Sequence, residues 1–329
     1  MEVKKVIGID VSKNTLDCCF LSLSGSHHIQ ISNNIKGFKV LEKWLIKTHG
    51  VQYNEALFCM EHTGLYNNPF LHFLSTKETG IWLESAIHIK RSMGLVRGKN
   101  DKVDAQRIAQ YAIKNMEQMQ QWQPKRPAVE KVKALLSLRD NMIMQIKQIN
   151  APLNELKTHG DKETVKLITQ HSNGTRNALE QGLKKIETSI MTLIQEDESL
   201  KRLYAVLSSI IGVGKVTAWL FIVHTNEFKH FTNPRSLACH SGVAPFENSS
   251  GLWKGKAKVS HMANKRLKTA LHMASMTAVK LDPELKSYYE RKVEEGKNKM
   301  SVLNAVRNKL VHRIFACLKQ DKLYIPKTA

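Results

Sequence analysis

Four acidic residues stand where they can do chemistry together. Asp10 closes the apolar run Val6, Ile7, Gly8, Ile9, and Glu61 closes the run from Ala56 to Met60. Asp101 and Asp104 lie three apart in RGKNDKVDAQRIAQYA (97–112), at the head of an apolar-periodic segment with basic residues before and between them. In open α/β sheets, ligands gather at the carboxyl ends of strands, so two strand-terminal acids can converge there. The three-residue spacing puts the two aspartates on one face of a helix. Four carboxylates brought together repel and take up protons unless cations neutralise them. A ligand set of oxygens without Cys or His suits Mg²⁺ or Mn²⁺. Two such ions ~3.5–4 Å apart can stabilise the attacking and leaving oxygens of phosphodiester cleavage. Taken singly, these residues leave plainer readings open. Asp101 can cap a helix with Asp104 as its first-turn acid, Asp10 can be a strand-end turn residue, and Glu61 alone says little. The joint pattern is what points to a metal site.

These acids need a sheet and a helix to carry them, and residues 1–124 have the pattern of both. VIGID, LDCCFLSL and HHIQIS read as consecutive strands, ALFCM and IWLES as two more, and GFKVLEKWLIKTHG as a helix with Phe38, Leu41, Trp44 and Leu45 on one face. Three strands in meander followed by alternating helix and strand describe a mixed α/β sheet. In 125–200, apolar positions such as Val132, Leu135, Met142, Ile146 and Ile149, and later Leu183, Ile186, Ile190 and Leu193, recur at helical spacing around THGDKE. That predicts a long antiparallel helical hairpin of coiled-coil type. Residues 201–329 hold the Gly-punctuated IIGVGKVTA, the irregular SGVAPFENSSGLWKGK, and further helices. The fold class expected is α/β plus α.

Fifty Lys and Arg against 29 Asp and Glu give a formal net charge of +21. Such a chain repels itself unless a polyanion is near, and nucleic acid is the partner expected. An unspecialised basic surface is the plainer alternative, separable by salt-sensitive retention on DNA. Cys18, Cys19, Cys59, Cys239 and Cys317 form no CxxC pair and no zinc or disulfide spacing, as expected of a reduced, intracellular protein. MEVKKVIGID lacks the apolar region and cleavage site of a signal peptide. The longest apolar run, 207–223, is broken by Lys215 and two glycines and falls short of the ~20 residues of a membrane span, so no membrane is expected.

Two further stretches can contact phosphate. Backbone N–H groups around Gly212 and Gly214, followed by a helix N-terminus, can hold one, with a tight packing turn as the alternative. In FENSSGLWKGKAK, serines precede a glycine and Lys254, Lys256 and Lys258. A hydroxyl there can face a scissile phosphate beside steadying charges, or simply cap a loop.

GIDVSKNTLD (8–17), MEHTGLY (60–66) and KNDKVDAQRIA (99–109) resemble the successive motifs of the DEDD insertion-sequence transposases. That family includes the Piv-type site-specific invertases and the bridge-RNA-guided recombinases. IIGVGKVTAW, HSGVAPFENSSG and MANKRLKTALHMASMTAV resemble its second conserved domain. The resemblance implies a ribonuclease H-like (RuvC-like) nuclease domain over 1–124 whose four acids are Asp10, Glu61, Asp101 and Asp104, with Mg²⁺ or Mn²⁺ as cofactor. It implies a coiled-coil helical region over 125–200 and, over 201–329, a mainly helical transposase domain with a catalytic serine. That serine aligns with Ser250; Ser249 is a close second and Ser241 a more distant third. A DNA recombinase is implied, in which the serine forms a covalent protein–DNA link and a Holliday-junction-like intermediate follows. Target and donor DNA, a guide (bridge) RNA and a homodimer or homotetramer would be its partners, in a bacterial cytoplasm in association with the nucleoid. The competing readings are a non-enzymatic nucleic-acid-binding scaffold, a RuvC-like metal-dependent junction nuclease, and a sugar-kinase or actin-like ATPase. The last is weakened because DVSKNTLD lacks a glycine-rich phosphate turn.

Overall fold

The run that ends in Asp10 forms β1 (Lys5–Val11), whose side chains alternate between two separate cores. Ile7, Ile9 and Val11 enter one and Val6 enters the other. β1 lies in the middle of a five-stranded sheet with β2 (Thr15–Ser22), β3 (Gly25–Ser32), α1 (Ile35–Lys43), β4 (Ala56–Glu61), α2 (Asn68–Ser75) and β5 (Gly80–Glu84) following in the chain. The strand order is β3-β2-β1-β4-β5. β1, β2 and β3 pair antiparallel as a meander, whereas β4 runs parallel to β1 and β5 parallel to β4. Strands buried on both faces read as near-continuous apolar runs, which is why β1, β2, β4 and β5 are clear in the sequence; β3, at the sheet edge, is mostly exposed or half-buried and shows only by its alternating Ile29 and Ile31.

One face of the sheet packs on Phe38 and Leu41 of α1 and on Phe70, Leu71 and Leu74 of α2. The other face carries α3 (Ala86–Ser92) and α4 (Asp101–Lys114), with Leu57, Cys59 and Trp82 packed against Ile108, Ala109 and Tyr111. α4 lies directly on β1 at Gly8. A Cβ at Gly8 would stand 2.3 Å from the Ala105 carbonyl oxygen and 2.3 Å from the Ala109 amide nitrogen. Only glycine permits this backbone approach.

This is a computed structural model. It describes residues 5–22, 25–92, 100–229, 231, 233–251, 253–260 and 262–326, the last residues of the basic run before Asp101 lying outside them. The chain divides into two compact units, Met1–Pro124 and Lys125–Ala329. The second is built from α5 (Pro127–His159), α6 (Lys162–Gln195), α7 (Glu198–Ser209), α8 (Lys215–His224), α9 (Pro234–His240), the hairpin β6 (Pro245–Ser250) and β7 (Trp253–Val259), α10 (Lys265–Leu281), α11 (Pro283–Glu294) and α12 (Lys299–Gln320). Its core gathers Trp219, Phe221 and Ile222 of α8 with Leu271 and Ala274 of α10 and Val306, Leu310 and Ile314 of α12. α5 and α6 join this core only at its base, through Val129, Val132 and Leu136 and through Ile186, Ile190 and Ile194. Farther along the hairpin Leu138, Met144 and Leu167 are exposed.

Two local readings change. SGVAPFENSSGLWKGK is not irregular: it contains β6 and β7, paired antiparallel with Ser250 opposite Trp253. Its residues lack core-directed alternation because Phe246 and Trp253 are themselves about half exposed, so the periodicity that betrays a strand is missing. Gly212 is a packing turn at φ +97°, where a Cβ would meet the Ala274 carbonyl at 2.4 Å. Among the described residues no helix is long and apolar enough to cross a membrane.

Replacing Gly8 with alanine is expected to push α4 off β1. Overpacking of this kind costs about 1–3 kcal/mol, to be read as a lower Tm and urea midpoint. An unchanged midpoint would show that α4 does not rest on Gly8.

Candidate metal and strand-transfer site

Strand register places the acids side by side. Asp10 is the β-partner of Asp17 on β2. Ile9 pairs with Met60, so Asp10 and Glu61 occupy successive positions on parallel neighbours, and Glu61 pairs in turn with Glu84 on β5. The result is a row of four carboxylates, Asp17, Asp10, Glu61 and Glu84, at one end of the sheet on the face that carries α4. α4 runs antiparallel to β1, with Ala105 and Ala109 over Gly8, which brings its first turn and Asp101 and Asp104 to the same end. Asn100, not Asp101, caps this helix: its side chain accepts from the Val103 amide at 2.8 Å. Both aspartates are left in the first turn, where the helix dipole favours negative charge.

The flanks of the row are hydrogen-bonded and its centre is not. Asp17, only 4% exposed, accepts from His28 Nε2 at 2.8 Å and Gln30 Nε2 at 3.0 Å. Glu84 accepts from the Ser85 amide at 2.6 Å, pairs with His88 Nδ1 at 2.9 Å, and takes the Tyr111 hydroxyl at 3.1 Å. Asp104 is shared with Arg107 at 2.9 Å. The side chains of Asp10 and Glu61 have no hydrogen-bond or ion-pair partner among the described residues. Burial first, then repulsion from Asp101, Asp104, Glu61 and Asp17, pushes the Asp10 carboxyl up to about 6.

Two side-chain amides, the buried Asn67 and the half-buried Asn33, hold the loops that follow these strands. Asn67 is fully buried; it donates to the Glu61 carbonyl at 2.9 Å and accepts from the Thr63 amide at 2.7 Å and hydroxyl at 3.0 Å. Asn33 donates to the carbonyls of both Ser12 and Tyr66 at 3.0 Å, tying the turn after β1 to the turn after β4. Asp17, Glu84, Asn33 and Asn67 were not singled out from sequence. Glu84 carries the same signal as Asp10 and Glu61, an apolar run closing in an acid, and Asp17 follows from Asp10 by hairpin register.

The donor set is carboxylate oxygen throughout and carries more negative charge than its surroundings neutralise, which suits a hard divalent cation. Asp10 and Glu61, with Asp101 and Asp104 above them, are the residues that would hold it. Among the described residues, no three His, Cys, Asp or Glu side chains stand close enough to share an ion as they are. The carboxylates gather at one end of the sheet without forming a finished coordination shell.

In the second unit the three serines separate by exposure. Ser249 and Ser250 are exposed on β6, beside the turn at Gly251, whose φ is +57°. Ser241 is fully buried at the end of α9, its hydroxyl without a hydrogen-bond partner among the described residues. The side chains of Lys254, Lys256 and Lys258 lie outside the described residues.

Comparison with known proteins covers most of the chain. Residues 7–159 match a family model described as Transposase, of the DEDD IS110 type, and residues 204–290 match one described as Transposase IS116/IS110/IS902 family. The chain is 26% identical over 325 residues to the pilin gene-inverting protein of Moraxella bovis, covering 97% of each. It is 24% identical over 356 aligned positions to the transposase for insertion sequence element IS1111A of Coxiella burnetii, covering 97% of this chain and 91% of the other.

Asp10 gives the site a pH signature that does not depend on kinship. Its folded pKa of about 6 lies above the ordinary 3.8, so ionisation opposes folding fully above pH 6 and ceases to matter below about 3.8. In EDTA, Asp10→Asn is therefore expected to raise Tm at pH 8, with a gain that shrinks through pH 6 and vanishes near the lower value. A Tm difference independent of pH would remove Asp10 from the repelling cluster.

Proposed function

The chain belongs to the IS110 family of transposases, enzymes of DNA recombination, and we propose that its first unit is a RuvC-like nuclease domain in which Asp10, Glu61, Asp101 and Asp104 hold Mg²⁺ or Mn²⁺. The observation that carries this reading is the bare centre of the acidic row, where an unpartnered Asp10 is pushed up to about 6. Isolated carboxylates in that state are costly, and a cation offsets the cost. Bound divalent ions supply charge neutralisation for a phosphodiester undergoing displacement. Asp17 and Glu84 flank the row with their oxygens engaged by partners of their own, which leaves Asp10 and Glu61 as its open centre. Asp104 is shared with Arg107, so a cation has to compete with that ion pair.

Ser250 is the nucleophile in this reading. Its Oγ attacks phosphorus, the hydroxyl proton departs, the bridging P–O bond breaks, and the released DNA oxygen leaves as a hydroxyl. The resulting phosphoserine diester keeps the bond energy, and attack by a DNA hydroxyl reverses the exchange and rejoins a strand. Exposure at a hairpin tip supports Ser250 over the buried Ser241, with Ser249 next in line. Strand exchange of this kind passes through a Holliday-junction-like intermediate between target and donor DNA. A guide (bridge) RNA that chooses the two sites is supported by kinship and by a net charge of +21, enough for two nucleic acids. The exposed Leu138, Met144 and Leu167 on the helical hairpin support a homodimer or homotetramer.

Recombination between donor and target plasmids tests this. Asp10→Ala and Glu61→Ala are expected to abolish it, by 10³-fold or roughly that order for loss of a metal ligand, with Tm maintained and DNA still bound. Ser250→Ala is expected to bind DNA but trap no covalent adduct, and RNase treatment of the purified protein to abolish site choice. An adduct persisting in Ser250→Ala would move the nucleophile to Ser249, and recombination by Asp10→Ala would end the metal reading.

A further inference from the structure

We propose that the second unit carries a nucleotide pocket, a seat for one unstacked base of the bound nucleic acid, between α5, α8 and α10. The cavity measures about 550 Å³, within the roughly 300–1,000 Å³ of small-molecule sites. Val216 and Leu220 of α8 and Ala270 of α10 give it aliphatic walls, and the exposed Met273 adds a thioether at the mouth. Thr217 and Thr269 contribute hydroxyls. The positions are spaced 216, 217, 220 and 265, 266, 269, 270, 273, so one face of each helix turns to the cavity. Each helix contributes residues of its N-terminal half, with Val216 and Thr217 and with Lys265 and Arg266 in the first turns, where the dipole favours an anion.

The charges around this apolar floor decide what it fits. Arg139 and Lys215 share a single anion, Glu187, at 2.8 and 2.6 Å, and Arg266 is paired with Asp140. Lys265 has no ion-pair partner among the described residues and is exposed. Four cations, Arg139, Lys215, Lys265 and Arg266, face two anions, Glu187 and Asp140, and leave a positive excess. An inorganic anion would have no use for the aliphatic walls, and an apolar side chain from a second copy would gain nothing from the cations. A nucleotide uses both, its flat apolar base against Val216, Leu220 and Met273 and its phosphate toward Lys265. Thioethers make favourable contacts with aromatic rings, and guanidinium groups stack on their faces. The inference rests on the family's work on DNA and not on the carboxylate chemistry of the first unit.

The test is fluorescence anisotropy with the full chain in EDTA, comparing a ten-nucleotide thymidine strand with a ten-nucleotide abasic strand that has the same phosphates. A single seated base is worth roughly 5- to 150-fold in affinity, so the thymidine strand is expected to bind at least about fivefold tighter. Thr269→Leu, at an exposed position on α10, adds bulk at the mouth without an aromatic ring. It is expected to bring that ratio near one while leaving the abasic affinity unchanged, with α-helical circular dichroism intact. A matching uridine and abasic RNA pair assigns the seat to DNA or RNA according to which strand shows the Thr269-dependent gain. Equal binding of base-bearing and abasic strands by the unaltered protein would overturn the proposal, as would a ratio untouched by Thr269→Leu. So would self-association in sedimentation velocity that Thr269→Leu abolishes, which would give the cavity to a second copy. Because binding is read without metal or strand transfer, each of these outcomes leaves the proposed strand-transfer chemistry standing.

Discussion

A helix can rest on a strand at backbone distance only where a side chain is missing. In this protein that place is Gly8, where a Cβ would lie 2.3 Å from the backbone of α4. Two residues farther along the strand is Asp10, and in the turn that leads into the contact on the helix are Asp101 and Asp104. The missing side chain therefore sets the distance between a strand-terminal acid and the acids of a helix start. Sheet register does the rest, since parallel pairing of β1 with β4 sets Glu61 beside Asp10 without any further device.

Collecting like charges costs stability, and the structure confines that cost to a small area. Asp17 and Glu84 extend the acidic row sideways but are each held by three or fewer donors from neighbouring strands and helices. Asp10 and Glu61 have none among the described residues, and burial, followed by repulsion from Asp101, Asp104, Glu61 and Asp17, falls on Asp10. Like charges concentrated at one point, with hydrogen-bonded groups around them, are a common way for proteins to give up stability locally. Asn33 and Asn67 serve the same end by binding the two loops through main-chain carbonyls, so the strand ends stay ordered although their carboxylates repel.

Much of this was legible in the sequence, for physical reasons that differ from element to element. VIGID, LDCCFLSL, ALFCM and IWLES are readable as strands because burial on both faces leaves apolar runs bounded by polar turns, whereas HHIQIS, on a largely exposed edge strand, is readable by its alternating isoleucines. The positions of Asp10 and Glu61 are readable because an acid closing such a run sits at the carboxyl end of its strand. The partners of Asp17 and Glu84 were not, because His28, Gln30 and Tyr111 reach them from 11, 13 and 27 residues away and pairing at that range leaves no local pattern. The β6–β7 hairpin escaped because its strands do not face a core. The role of Gly212 was open between phosphate cradle and packing turn until the Ala274 carbonyl fixed it, and Asn100, one residue ahead of the expected cap, took the capping role.

The direct measurement of the central idea is a Mn²⁺ titration of the full chain followed by electron paramagnetic resonance, in which bound manganese leaves the free-ion signal. Shared carboxylates at one end of the sheet predict saturable binding that is lost in Asp10→Asn and weakened in Asp101→Asn and Asp104→Asn, while the salt-bridged Glu187→Gln, remote in role, retains it. Binding that is indifferent to all three aspartate changes would contradict the account.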